Sequence, residues 1–262
     1  MSAPLETRAA AWQALMCPDP EAKVALTRAL AAAPGVPDPT LLLAPSEVPG
    51  RPAAPLLVAP QHVPRRRLGS PQGRAALIHA IAHIEFNAIN LALDAIVRFP
   101  QLPLAFYFDW LQVAGEEAHH YELLVAHLAT LGHAYGDFVA HDGLWDAARK
   151  TVADPLARMA LVPRVLEARG LDVTPGLQTR LRAAGDTAAA DILAIILRDE
   201  VGHVAVGNHW YHWLCAQREV PPQATFTALC VAYGQSLPRG PFNQEARLAG
   251  GFSLEEMAEW AG

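Results

Sequence analysis

The chain has 262 residues, 52% of them apolar and 18% charged, which excludes a disordered chain and leaves one large domain or two small ones. With 20 basic against 26 acidic residues the formal charge is -6. That argues against a general nucleic-acid binder, and the short Arg65-Arg66-Arg67 run does not overturn it. Histidine is over-supplied at 11 residues, whereas Cys17, Cys215 and Cys230 are scattered and form no CxxC pair. A cysteine zinc site and a thioredoxin-like motif are thereby excluded, and a metal or acid–base role for histidine is the first to look for.

Residues 5–33 are rich in Ala, Leu, Arg and Glu and predict one or two short helices, parted by Pro18 and Pro20. The first twelve residues lack a basic segment followed by an apolar one, so no secretory signal is expected. From Pro34 to Pro71 the proline density forbids a helix or central strand. The apolar residues Leu41 to Leu43 and Leu56 to Val58 make this stretch an extended arm packed on the rest of the chain.

Helical spacing begins near residue 72. A first long helix over 72–98 puts Ile78, Ala82, Glu85, Ile89, Ala92 and Ile96 on one face. A second over 103–131 aligns Phe106, Trp110, Val113, Glu117, His120, Leu124 and Leu131. A third over 154–169 carries Leu156, Ala160 and Glu167, with a kink expected at Pro163, and a short helix near 175–184 follows. The fourth, over 187–217, starts behind an Asp186 cap and aligns Leu193, Ile196, Glu200, His203, Gly207, Trp210 and Leu214. The longest apolar run, near 188–197, is too short to cross a bilayer. A helix near 223–235, a loop at 237–243 and a last helix with a Ser253-x-x-Glu256 capping box complete the chain. The expected division is an arm at 1–71, a four-helix bundle at 72–220 and a helical cap at 221–262, in a soluble cytoplasmic protein.

The anomaly lies in the acids. Glu85, Glu117, Glu167 and Glu200 fall within the apolar stripes, where an isolated ionised carboxylate costs several kcal/mol. Two of them carry a histidine three residues on, Glu117/His120 and Glu200/His203, and residues i and i+3 share a helix face. Glu85 to Glu117 spans 32 residues and Glu167 to Glu200 spans 33, so the pattern repeats. Two helical hairpins, each giving Glu and then Glu-x-x-His, supply six ligands for two metal ions, iron first, with manganese or a mixed pair fitting the same donors. Glu116/His119 is an alternative Glu-x-x-His about 100° round the helix, away from the apolar neighbours that favour Glu117/His120. His79 and His83 flank Glu85 without sharing its stripe.

The six-residue set resembles the ferritin-like di-iron carboxylate superfamily. More narrowly, the strings FNAINLALDAIVRFP, WLQVAGEEAHHYELL, LGHAYGDFVAHDGLW, LVPRVLEARGLDVTP and RDEVGHVAVGNHWY are similar to a bacterial ferritin-like family known as a domain of unknown function. The likeness runs over about 5–245. It implies an all-α ferritin-like bundle but no assigned substrate. The tRNA-modifying di-iron hydroxylases are a more distant architectural relative, and the acidic balance speaks against tRNA here. The arm and the C-terminal cap imply a covered pocket, unlike the shorter cage-forming ferritins.

On this reading Glu117 and Glu200 bridge two metals, Glu85 and Glu167 are terminal carboxylates, and His120 and His203 each serve one metal. The expected activity is an O2-dependent oxidation or hydroxylation of a small molecule. Iron handling with ferroxidase or peroxide-scavenging activity, and a non-catalytic metal-stabilised partner protein, are the alternatives, and a homo-oligomer is compatible with all three. No catalytic residue beyond the ligands is singled out. Tyr107, Tyr121, Tyr211 and the His209–Trp213 cluster read as packing. The histidine- and aspartate-bearing loop at 131–145 reads as a structural or gating segment. Arg239, Asn243 and Arg247 either hold an anion or cap helix ends.

Overall fold

A computed structural model describes residues 6–64 and 67–261. Arg65 and Arg66 of the basic run lie outside the described residues. The fold is all-α. Among the described residues the sole β pairing is an isolated parallel bridge between Leu57 and Ala140. The chain divides into two compact units, Met1–Trp145 and Asp146–Gly262.

The first unit is built on one long helix pair. Helix α1 (Thr7–Met16) and α2 (Pro20–Ala32) lead into the proline arm, followed by α3 (Pro71–Arg98) and α4 (Leu104–Thr130). Pro20 and Pro71 each take a first helical position, where the missing N–H costs nothing, behind Asp19 and Ser70 caps. The five-residue α3–α4 connection is closed by Tyr107, whose hydroxyl donates to the Phe99 carbonyl at 2.9 Å and accepts from Leu102 N at 3.2 Å. That tyrosine therefore has a packing role. α3 is apolar and long enough to cross a membrane, more so than the 188–197 run, but 89% of its most apolar window is buried inside the protein. That burial identifies it as a core helix.

Buried cations tie the arm down. The fully buried Arg8 donates to the carbonyls of Ile96 and Val97, both at 2.9 Å, in the last turn of α3. Those carbonyls have no intrahelical partner, and a cation there also suits the helix dipole. The same guanidinium donates to the Asp38 and Leu41 carbonyls of the arm, at 2.9 and 2.6 Å. Lys23 does similar work with Leu15 O at 2.8 Å, Gly50 O at 3.0 Å and Asn90 Oδ1. Burial pushes its ammonium down to about 7. Gly50 has to be glycine, since a Cβ there would sit 2.2 Å from the Met16 carbonyl oxygen. Further along, Arg51 makes a two-bonded pair with Asp142 at 2.7 and 2.8 Å, and Trp145 Nε1 donates to Glu47 O at 2.9 Å.

The loop after α4 is held by histidines of α3. Gly136 N donates to His79 Nε2 at 2.9 Å, and His79 stacks on Tyr135 with ring centroids 5.3 Å apart. Burial pushes His79 down to about 4; nearby Asp137 pulls it up and His133 pushes it down. An unfolded histidine titrates near ~6.5. Between those two values the unfolded chain takes up a proton that the folded chain refuses, so this contribution to stability is intact above about 6.5 and is lost as pH falls toward 4. Relative to a His79→Gln variant, whose amide oxygen can still accept from Gly136, the native chain is expected to lose about 2 kcal/mol more between pH 7 and 5. Urea midpoints at the two pH values check this, and equal slopes would refute it.

The second unit also centres on a helix pair. Helix α5 (Gly143–Lys150) begins in the first unit and is continuous into the second. α6 (Pro155–Leu161) runs into a π-helical turn at Val162–Glu167 and then α7 (Ala168–Ala183). α8 (Thr187–Gln217), α9 (Pro222–Ala232), α10 (Gln244–Ala249) and α11 (Leu254–Ala261) follow. The kink expected at Pro163 is this π turn. Proline has no N–H for the i−4 carbonyl and its ring crowds that carbonyl, so the helix widens by one residue. α8 packs close beside it because residue 207 is glycine: a Cβ there would lie 2.2 Å from Pro163 Cβ. Asp186 caps α8 through Ala189 N at 3.0 Å. The Ser253–Glu256 capping box forms in both directions, at 3.0 and 3.1 Å.

The separate helix expected at 175–184 is not separate, since Pro175 lies inside α7. The carbonyl it deprives of a helical donor, Leu171 O, accepts instead from Asn243 Nδ2 at 3.1 Å. Asn243 also caps α10, and the buried Arg247 pairs with Asp172 at 2.6 Å. For Asn243 the capping role is the one observed, whereas Arg247 holds a carboxylate of the chain itself.

Candidate metal centre

α3 and α4 bring three of the six expected ligands together in the first unit. Glu85 comes from the middle of α3, one turn before Ile89, and Glu117 and His120 come from one turn of α4 between Val113 and Leu124. Their exposures are 4%, 1% and 0%. His120 Nδ1 lies 3.3 Å from Glu117 Oε2 and 3.4 Å from Glu85 Oε2. One ligand atom from each of the three falls within 4.8 Å of the others. A buried group of two carboxylates and an imidazole at this spacing can hold a metal ion.

The electrostatics of the triplet fit that description. Burial alone would lower His120, but the Glu117 and Glu85 carboxylates outweigh it and hold the ring up at about 11. The imidazolium thus stands where positive charge is wanted between two buried acids. The alternative pair occupies a different face of α4. Glu116 accepts from Gln112 Nε2 at 3.0 Å, and His119 is about half exposed beside Glu122. Both line an open surface groove with Arg28 and Phe108 of the same unit.

The second unit holds the other three expected ligands. Glu200 and His203 sit one turn apart on α8, with His203 Nδ1 3.6 Å from Glu200 Oε1. His203 is fully buried and Glu200 partly so. Glu167 is the last residue of the π turn and is half-buried. Such single-turn widenings are frequent where a side chain has a chemical task. Among the described residues, the ligand atoms drawn together at the 4.8 Å spacing do not include those of Glu167 or His203.

Two features were not anticipated from residue spacing. One is the link from His83 Nδ1 to the Tyr135 hydroxyl at 2.8 Å, which pairs α3 with the loop after α4. The i, i+4 placement of His79 and His83 was the available signal. The other is Arg164, inside the π turn and wholly buried. It donates to Asn208 Oδ1 and, at 2.6 Å, to Glu256 Oε1. Its guanidinium stacks over Tyr211, Phe226 and Phe252 at 4.5–5.0 Å. Tyr211 in turn donates to Pro222 O at 2.6 Å, and of the α8 aromatic cluster Trp210 and Tyr211 are buried in packing, whereas His209 and His212 are exposed.

Comparison with known proteins adds a family. No solved structure matches the chain. A protein of Haemophilus influenzae (strain ATCC 51907 / DSM 11121 / KW20 / Rd) named "Uncharacterized protein" is 52% identical over 203 residues, which is 75% of this chain and 70% of that protein. The family model described as "Protein of unknown function (DUF455)" matches residues 16–258. Covering nearly the whole sequence, that match makes the chain a member of this family.

Proposed function

We propose that this is a ferritin-like dinuclear metal protein that uses O2 to oxidise or hydroxylate a small molecule. The observation that carries the reading is the buried triplet of Glu85, Glu117 and His120. Two carboxylates in a helical core are costly unless a positive charge shares the space, and a metal ion supplies that charge. The repeat of the same motif at Glu167 and at Glu200/His203 supports a second ion held by the same donor types. A pair of iron or manganese ions would supply redox chemistry toward O2.

The roles of the chain's own groups follow from their chemistry. Glu85, Glu117, Glu167 and Glu200 would supply carboxylate oxygens, and His120 and His203 would donate one imidazole nitrogen each. The apolar residues on either side of Glu85 and Glu117 keep bulk water from competing for these oxygens. To donate to a cation His120 would have to give up its ring proton, so metal uptake would be accompanied by proton release.

The test is metal analysis of protein purified without oxygen, followed by optical spectroscopy on O2 addition. The native chain is expected to carry two iron or manganese ions and to change its spectrum with O2. Glu117→Ala and Glu200→Ala are each expected to retain one ion or none. Two ions in both variants, or none in the native protein, would sink the reading.

A further inference from the structure

The first unit contains a cavity of about 320 Å3 between α3 and the proline arm. His83, Phe86 and Asn87 of α3 form one wall, and Tyr135 and arm residues that include Pro55 and Leu57 form the others. At 100° per residue, the mean direction of positions 83, 86 and 87 lies about 150° round α3 from Glu85. The cavity is therefore on the opposite side of this helix from the carboxylates and does not depend on the metal reading.

Hydrogen-bond logic sets the polarity of its wall. Asn87 is 2% exposed, and its Nδ2 donates to the His83 carbonyl at 2.9 Å. That contact fixes which end of the amide is nitrogen, because a carbonyl oxygen only accepts. The same Nδ2 lies 3.1 Å from His83 Nε2, so Nε2 is the acceptor and Nδ1 carries the ring proton. Nδ1 donates to the Tyr135 oxygen at 2.8 Å, which leaves the Tyr135 hydroxyl hydrogen to be given elsewhere. Among the described residues neither that hydrogen nor Asn87 Oδ1 has another partner. One donor and one acceptor are thus left over in a mostly apolar cavity.

We propose that this cavity binds an uncharged single-ring molecule bearing a hydroxyl group, of the phenol class. The hydroxyl accepts from Tyr135 and donates to Asn87 Oδ1, while the ring lies against Phe86 and the arm. The volume is at the small end of ligand sites, enough for one ring and a short substituent. An anion is disfavoured, because among the described residues the one cation lining the cavity, Arg51, is engaged by Asp142 through two short bonds.

Ligand-observed NMR titration of the full chain tests this, with p-cresol as probe, toluene as the analogue without a hydroxyl and benzoate as the anion. p-Cresol is expected to bind saturably, with toluene and benzoate about tenfold weaker or worse, as the loss of one hydrogen bond predicts. Tyr135→Phe is expected to weaken p-cresol about tenfold and leave toluene unchanged. Ala53→Trp, at an exposed arm position lining the cavity, is expected to abolish binding of both. No saturation by p-cresol below ~10 mM, equal binding of toluene, or unchanged affinity in either variant would overturn the proposal.

Discussion

Arg164→Met is expected to destabilise the chain by about 3–5 kcal/mol, the usual cost of leaving one partner of a buried ion pair behind. The Glu256 carboxylate would lose its guanidinium, Asn208 Oδ1 would lose a donor, and three aromatic rings would lose the cation they enclose. Arg164→Lys keeps the charge but not the planar fork, so it is expected to recover only part of the loss. Urea unfolding with a Trp fluorescence readout measures both. A methionine variant within 1 kcal/mol of the native chain would show that ring packing alone sustains this core, against the expected ~3 kcal/mol or more.

Gly207→Ala is the second large effect. The new methyl would fall 2.2 Å from Pro163 Cβ and 2.4 Å from its Cγ, well inside van der Waals contact. Both residues belong to helical backbone, so relief requires α8 and the π turn to part, at about 2–3 kcal/mol. Pro163→Gly removes the opposing ring, and the double variant is expected to regain much of what the alanine alone lost. Additive losses in that cycle would refute the contact. Glu167 closes the same turn four residues on. On the proposed reading the alanine variant therefore also binds less metal, which analysis of the purified protein would register.

Much of the helical plan was legible because long amphipathic runs carry their own evidence. α8 begins and ends at the residues the spacing marks, and α3 and α4 agree to within a residue. Glu85 and Glu117 were legible for the opposite reason, as charges placed where apolar residues belong. What escaped was settled by partners distant in sequence. Pro175 looks like a helix breaker until Asn243 takes up the carbonyl it strands. Arg164 carries no spacing signal of its burial, because its partners Asn208 and Glu256 lie 44 and 92 residues on. α5 and α10 are short, and in helices of that length few residues express a period. Tyr135 gains its meaning only from His83, 52 residues earlier.

The four carbonyls gathered by Arg8 set an order of events during synthesis. Its guanidinium closes on Ile96 and Val97, 88 and 89 residues downstream. α1 can therefore dock only after the last turn of α3 has left the ribosome. Until then the arm anchored by the same side chain, through Asp38 and Leu41, stays undocked there. The first unit is expected to fold late, with its N-terminal helix and its arm locking together in one step.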